Sequence, residues 1–245
     1  MTPLIETRGL NVRFGGVHAT RDVNFSLAEN ELRCVIGPNG AGKSTFFKLL
    51  TGQVKPTSGQ ILFRGKDISN MQPHEPGRLG IGIKTQVPSL FNGLSVWENV
   101  WLSARRLNST AQANRITGET LERVGMAAYR NVQAGLLAHG MRQWVEIGVV
   151  IAADPPLILL DEPAAGMNHK ETDGLMQTIA QIRKEFGLTV LLIEHDMKLV
   201  MGICERILVL DHGVTISQGA PEAIRKDPKV ISAYLGVDIE EGVTV

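Results

Sequence analysis

The sequence has no net charge, no apolar run long enough for a membrane and almost no cysteine. Its 25 basic and 25 acidic residues give a formal net charge of zero, so the overall charge gives no footprint for nucleic acid and no nucleic-acid partner is predicted. The longest apolar runs, such as 188–193, fall far short of the ~20 residues of a membrane span. No basic segment followed by an apolar one begins the chain, so no leader is predicted. These absences favour a cytoplasmic protein.

The two cysteines, Cys34 and Cys204, lie in separate apolar runs. This placement favours buried free thiols in a reducing compartment over a disulfide or a metal site. Hydrophobic residues make up 43% of the 245 residues, which is enough for a packed core. The length allows one large domain or two small ones.

The most informative stretch runs from Leu32 to Leu50. It reads as a short buried strand, a glycine-rich turn and the first turns of a helix, which is the context that the phosphate-binding pattern G-x-x-x-x-G-K-S/T requires. The turn and the start of the helix predict a nucleotide-binding loop made of Gly37, Pro38, Asn39, Gly40, Ala41, Gly42, Lys43, Ser44 and Thr45. A glycine turn that only happens to precede a lysine is disfavoured, because four fixed positions and both flanking elements agree.

Each residue type in this loop has a chemical reason to be there. Glycines let backbone N–H groups turn inward around a phosphate, where a Cβ would block the dihedral or the approach. The helix N-terminus adds about half a positive charge. Lys43 is predicted to contact the β- and γ-phosphates, and the Ser44 hydroxyl is predicted to bind Mg²⁺ beside them.

The segment 4–27 alternates apolar and polar residues, which predicts two or three antiparallel strands around the turn at Gly15 and Gly16. Phe14 directly precedes that turn. It can be a platform on which a nucleotide base stacks, or it can be a core residue, and the sequence gives equal weight to both interpretations.

Four polar residues follow predicted strands further along the chain. Asp161 and Glu162 end the buried strand 157–160, where Asp161 is predicted to be a Mg²⁺ ligand and Glu162 the base that polarises the attacking water. Gln86 can join the Mg²⁺ shell through its amide oxygen, although an isolated glutamine is usually a loop residue. His195 follows the apolar run 188–193 and can donate a hydrogen bond to the γ-phosphate.

The segment 93–153 changes to helical patterns and predicts an inserted helical subdomain. Ser95, with Glu98 three residues later, is the predicted helix cap. Trp97 and Trp101 lie on one helical face, either as a docking surface for a partner or as core. The polar segment 108–116 is interpreted as a loop.

The C-terminal part is predicted to hold two strands, 206–211 and 214–218, joined at a His-Gly turn. Short helices are predicted to start at Pro221 and Pro228, ahead of a frayed tail.

In order and spacing, these motifs resemble the nucleotide-binding subunits of ATP-binding cassette (ABC) transporters, and the resemblance covers essentially the whole chain. It is strongest to ATPase subunits of bacterial importers for branched-chain amino acids. The stretches that carry this finer resemblance are Arg-Phe-Gly-Gly at 13–16, Pro-Ala-Ala-Gly-Met-Asn at 163–168, the run 193–202, and Ala-Tyr-Leu-Gly at 233–236.

The resemblance implies an α/β fold, namely a P-loop NTPase with a RecA-like core, an antiparallel β-subdomain and an inserted helical subdomain. As a single ABC ATPase domain over 1–245, the chain would divide into β-subdomain segments 1–30 and 58–70, core segments 31–57, 71–92 and 154–235, a helical subdomain 93–153 and a tail 236–245. It also implies a head-to-tail dimer around two ATP molecules. The implied activity is ATP hydrolysis with Mg²⁺, coupled to solute transport.

The resemblance implies partners as well. Two integral membrane permease subunits would dock near the helical subdomain and Gln86, and a periplasmic binding protein would deliver the solute. The chain would then lie peripherally on the inner face of the cell membrane. The catalytic roles implied are those of Lys43, Glu162 and His195.

The sequence departs from the family at the glycine motif that grips ATP in the opposite subunit. The family usually has Leu-Ser-Gly-Gly-Gln, whereas this chain has Leu137, Ala138, His139, Gly140 and Met141. Alanine and an aromatic or histidine residue are familiar in this branch, so Met141 is the sharper difference. The aspartate of the later loop is replaced by Asn168, which is also familiar there.

Two classes of function therefore remain. The favoured one is an importer ATPase, for branched-chain amino acids or for another small solute such as an amide, urea or an aromatic acid. The other is a regulatory protein of the same fold in which the altered motif slows hydrolysis and ATP binding carries the function. Met141 favours a heterodimer with a second ATPase subunit over a homodimer.

Overall fold

The computed structural model describes residues 3–86, 89–195 and 197–235. The strands in this part of the chain are β1 Ile5–Phe14, β2 Val17–Leu27, β3 Leu32–Ile36, β4 Ser58–Phe63, β5 Lys66–Asp67, β6 Ile81–Lys84, β7 Leu157–Asp161, β8 Thr189–Ile193, β9 Arg206–Asp211 and β10 Val214–Gly219. The helices are α1 Lys43–Leu50, α2 Val96–Arg105, α3 Thr110–Arg123, α4 His139–Ala152, α5 His169–Phe186, α6 Met197–Ile203, α7 Pro221–Lys226 and α8 Pro228–Leu235. The predicted tail 236–245 lies outside the described residues.

The chain forms two compact units, the first of 1–76 and 189–245 and the second of 77–188. The first unit contains a four-stranded antiparallel sheet in the order β2-β1-β4-β5. β1 and β2 pair around Gly15, whose φ of 58° suits the turn. β1 and β2, in which buried and exposed residues alternate, are therefore the two strands of the predicted hairpin.

β3 lies between two other strands of the first unit. β3 is parallel to both β8 and β9, and β9 is antiparallel to β10. All five residues of β3 and of β8 are buried, as expected for strands covered on both faces. The predicted strand pair at 206–218 and the helices starting at Pro221 and Pro228 are confirmed.

The second unit is mainly helical, with β6 and β7 as a parallel pair. α2 packs against α3 and α4. Ser95 and Glu98 form the predicted capping box of α2, since each side chain accepts a hydrogen bond from the other residue's backbone N–H.

The interpretation of 108–116 as a loop is wrong, because α3 begins at Thr110. Ser109 and Gln112 form a capping box at its start, which supplies acceptors for backbone N–H groups that would otherwise lack them. The buried residues of α3 are mostly small or hydroxyl side chains, such as Ala113 and Thr117, and the large apolar Leu121 comes only near its end. A polar segment can therefore be helical when its buried face holds few large apolar residues.

Trp97 and Trp101 are both half-buried, so neither is a fully buried core residue, and the docking surface stays a prediction. The guanidinium carbon of Arg130 lies 4.2 Å from the Trp97 ring centroid. The Trp101 indole N–H donates to Asn114 Oδ1 at 2.8 Å. Each ring thus contacts a polar partner within its own unit, as amphipathic aromatic residues often do.

The cysteines and the apolar segments agree with the expectations from composition. Cys34 and Cys204 are free and buried, as predicted. Across the described residues, no helix combines the length and the apolar character needed to cross a membrane. The finer subdomain boundaries given above stay a prediction.

Candidate functional site

The phosphate loop of the first unit has a backbone that only glycine accommodates. Gly40 and Gly42 adopt φ angles of 83° and 100°, a region that side chains disfavour. A Cβ on Gly37 would lie 2.1 Å from the Leu210 carbonyl oxygen, and one on Gly42 would lie 2.6 Å from the Ala19 carbonyl oxygen. The loop is therefore packed too closely for side chains at these two glycines, and its backbone is shaped to curve around an anion.

Lys43 is the first residue of α1 and is 7% exposed. Its ammonium donates to the carbonyl oxygens of Gly37 at 2.6 Å and of Pro38 at 3.0 Å. The lysine charge is thus held over the loop by the loop's own carbonyl groups. No side-chain cap bonds the N-terminus of α1 in the described structure, so its N–H groups are available to a phosphate.

The other loop residues divide into supports and exposed groups. The Ala41 N–H donates to the Pro38 carbonyl at 3.1 Å, and the Ala41 carbonyl accepts from the Gly213 N–H at 3.0 Å. Asn39 and Ser44 are exposed, and Thr45 is half-buried. An exposed hydroxyl beside a lysine and a helix N-terminus fits the predicted Mg²⁺ role of Ser44.

Phe14 ends β1 with 52% of its surface exposed. This exposure rules out the core interpretation. An exposed aromatic ring at a strand end is suited to stacking on a base.

Phe14→Ala is expected to weaken ATP binding by about 1–3 kcal/mol, because one stacking contact is lost. The melting temperature of the nucleotide-free protein should change little, whereas a core phenylalanine would cost about 3–5 kcal/mol. Titration calorimetry with ATP and thermal melts without it separate the two effects. Unchanged ATP affinity would contradict the stacking role.

His195 follows β8 and its side chain is 63% exposed. Its Nδ1 lies 3.8 Å from Glu194 Oε2, and the Glu194 side chain is 3% exposed. The His195 backbone N–H donates to the same carboxylate oxygen at 3.2 Å. The buried Glu194 carboxylate therefore binds the backbone N–H of His195. Most of the His195 ring stays accessible.

Tyr234 in α8 was not identified from the sequence, although it lies beside the backbone of Gly37. Burial raises the pKa of Tyr234 to about 12, and the Gly37 backbone N–H opposes that shift. The hydroxyl is therefore neutral at physiological pH.

In the second unit, Asp161 ends β7 and Glu162 follows it with a φ of 44°. A left-handed backbone at a residue other than glycine is uncommon and often marks a functional position. The Gln86 amide Nε2 donates to Glu162 Oε2 at 2.8 Å. The structure thus brings Gln86 and the predicted base together across 76 positions of the chain.

A buried ion pair next to Gln86 was missed by sequence reasoning. Lys84 Nζ lies 3.6 Å from Glu146 Oε2, with side chains that are 1% and 5% exposed. The Ser89 backbone N–H donates to the other oxygen of Glu146. Glu146 therefore contacts the chain on both sides of Gln86. The sequence feature that could have indicated this ion pair is Glu146 itself, the one carboxylate within the apolar pattern of α4.

The altered glycine motif opens α4 as predicted, with Ala138 as the N-cap and without a side-chain cap in the described structure. His139 Nε2 lies 3.0 Å from the Ala165 carbonyl oxygen. Leu137 is half-buried, and Gly140 and Met141 are likewise partly accessible. Asn168 and Glu171 form the capping box of α5, so the asparagine has a structural role of its own.

Comparisons with known proteins agree with this geometry. The family model described as ABC transporter matches residues 20–165. A second model, described as branched-chain amino acid ATP-binding cassette transporter, matches residues 214–240. A solved ATP-binding cassette of an ABC transporter in its ADP conformation superposes with a TM-score of 0.85 at 27% identity, covering 97% of this chain and 100% of that one.

Curated relatives match along nearly the whole length. The chain is 41% identical to the high-affinity branched-chain amino acid transport ATP-binding proteins BraF of Pseudomonas aeruginosa and LivG of Escherichia coli, covering 96% of this chain and 98% of each relative. The lipopolysaccharide export system ATP-binding protein LptB of Acidithiobacillus ferridurans is 33% identical over the same shares. With the phosphate loop and the strand-end carboxylates in place, these matches show that the chain belongs to the ABC transporter family of ATP-binding proteins.

Proposed function

We propose that this chain is the ATP-binding and ATP-hydrolysing subunit of a bacterial ABC importer for branched-chain amino acids. The observation that carries the proposal is the 41% identity to BraF and LivG across 96% of the chain. The match of the branched-chain amino acid family model to 214–240 supports the same solute class. The lower identity to LptB disfavours an export system.

The phosphates of ATP are proposed to bind in the glycine loop, with Lys43 neutralising charge on the β- and γ-phosphates. Bound Mg²⁺ would supply further positive charge at those phosphates. Its proposed protein ligands are Ser44, Gln86 and Asp161, which offer the oxygen atoms that this ion prefers. His195 is proposed to donate a hydrogen bond to the γ-phosphate.

Glu162 is proposed to accept a proton from the attacking water. The Gln86 amide donates to Glu162 Oε2 at 2.8 Å, which fixes the direction of the carboxylate. The same contact gives Gln86 a function beyond that of a Mg²⁺ ligand.

The partners are proposed to be two integral membrane permease subunits, which hold this chain on the inner face of the cell membrane, and a periplasmic binding protein. The test is uptake of radiolabelled leucine into vesicles that contain the chain with the permease and binding proteins encoded beside its gene. ATP-dependent leucine uptake is expected. Uptake of only an amide, urea or an aromatic acid would move the proposal to that solute, and no ATP-dependent uptake would contradict it.

A heterodimer with a second ATPase subunit follows from Ala138 and Met141. The family's serine and glutamine at these positions contact the opposite ATP, and hydrogen bonds to a charged group are worth about 1.5–3 kcal/mol each. A homodimer would contain two weakened sites. A heterodimer would keep one complete site, so slow hydrolysis by the chain alone is expected.

Restoring the motif with Met141→Gln and Ala138→Ser should strengthen ATP-dependent dimerisation of the Glu162→Gln protein. Size-exclusion chromatography with ATP and Mg²⁺ measures this. If the Glu162→Gln protein already forms a stable homodimer, and the two changes do not tighten it, Met141 does not weaken dimerisation. Slow hydrolysis that persists with the partner subunit and permeases would instead favour the regulatory protein.

A further inference from the structure

The turn that follows Glu162 holds that residue in its left-handed conformation. The Ala165 N–H donates to the Glu162 carbonyl at 3.1 Å, and Glu162 has a φ of 44°. A residue other than glycine stays in this region only where surrounding contacts hold it there. The direction of the Glu162 carboxylate therefore depends on what fixes Ala165.

The His139 ring fixes Ala165 from the start of α4. Its Nε2 lies 3.0 Å from the Ala165 carbonyl oxygen, which can only accept, so the tautomer with hydrogen on Nε2 makes this bond, and in that tautomer Gln143 Nε2 does not donate to the ring. A Cβ on Gly166 would lie 2.9 Å from His139 Cδ2 and 3.0 Å from Nε2, so the ring rests directly on this glycine. Gln143 Nε2 is farther from the same carbonyl, at 3.5 Å, and lies 3.2 Å from His139 Nε2.

We propose that His139 is a positioning residue that orients Glu162 through the turn closed by Ala165. The proposal rests on the role of Glu162 as the base. The glycine that the family usually has at this place in the motif offers neither a donor nor a ring. The histidine therefore adds a donor and a ring that glycine lacks, and its proposed effect is on the chain's own carboxylate.

The first test is a double-mutant cycle between His139→Phe and Glu162→Gln, measured as the hydrolysis of radiolabelled ATP by the purified chain. His139→Phe keeps a ring but removes the donor, so kcat should fall about 2- to 10-fold, the effect of one hydrogen bond. The melting temperature should stay unchanged. His139→Gln, whose amide offers an N–H at a similar reach, should restore most of kcat. In the Glu162→Gln background His139→Phe should have no further effect.

The second test uses the close contact with Gly166. Gly166→Ala should displace the ring and lower kcat. In the His139→Gly protein the space is open, so only the part of the fall caused by backbone strain at the Gly166 φ of 76° should persist. This arm keeps the proposal testable if His139→Phe does not fold. It does not depend on hydrogen bonding by a replacement side chain.

The outcomes separate this inference from the function it rests on. Full activity of Glu162→Gln would remove the base assignment and the inference with it. Loss of activity in Glu162→Gln together with normal kcat in His139→Phe would overturn only the inference. An equal fall caused by His139→Phe in both backgrounds would also overturn it, because the histidine would then act without Glu162.

Discussion

Glu162→Gln is expected to lower ATP turnover by roughly 10²- to 10⁴-fold, the usual contribution of a general base. The substitution keeps the size of the side chain and removes only its ability to accept a proton. The Gln86 amide can still donate to the new amide oxygen, so the local structure should persist. ATP binding should be retained, because the phosphate loop is untouched. Phosphate release and ATP titration measure the two quantities.

The matched control is Glu122→Gln, an exposed glutamate of the same unit. It should leave turnover unchanged, since an exposed position away from the strand ends has no role in the chemistry. Undiminished ATPase activity in Glu162→Gln would remove this residue from the role of base.

Glu146→Leu is expected to lower the free energy of unfolding by about 3–5 kcal/mol. The Lys84 and Glu146 side chains are 1% and 5% exposed, so the substitution leaves a buried ammonium without this carboxylate. The Ser89 N–H also loses its acceptor. Urea denaturation followed by circular dichroism gives the free energy, with the slope against urea checked for a change in the unfolding reaction.

The double variant Lys84→Met/Glu146→Leu is the control for that result. Replacing both members of a buried pair by apolar residues is often neutral, so most of the loss should be recovered. A cost below about 1 kcal/mol for Glu146→Leu alone would mean that the pair behaves like an exposed one.

Local patterns predicted the elements of this fold well. The hairpin around Gly15, the cap at Ser95 and the helices at Pro221 and Pro228 each depend on residues within a few positions of one another. The phosphate loop is the same kind of signal, because its backbone shape is encoded in its own glycines. The segment 108–116 shows the limit, since its capping box was present in the sequence but its buried face lacks large apolar residues.

Contacts between distant positions could not be predicted in this way. Gln86 and Glu162 are 76 positions apart, and nothing local at either residue indicates the other. The same is true of Lys84 and Glu146. Phe14 illustrates a choice that the sequence left open, because exposure depends on the packing of the whole unit and not on the strand that carries the residue.

The two buried thiols have a practical consequence for spectroscopy. Cys34 and Cys204 are 0% and 7% exposed, and burial raises the pKa of the Cys34 thiol. Thiol reagents attack the accessible thiolate, so neither native cysteine should react in the folded protein. A cysteine introduced at Leu107, which is 72% exposed, can then carry a fluorophore or spin label as the single reactive site. Motions of this chain during ATP turnover can be followed without first removing its natural cysteines.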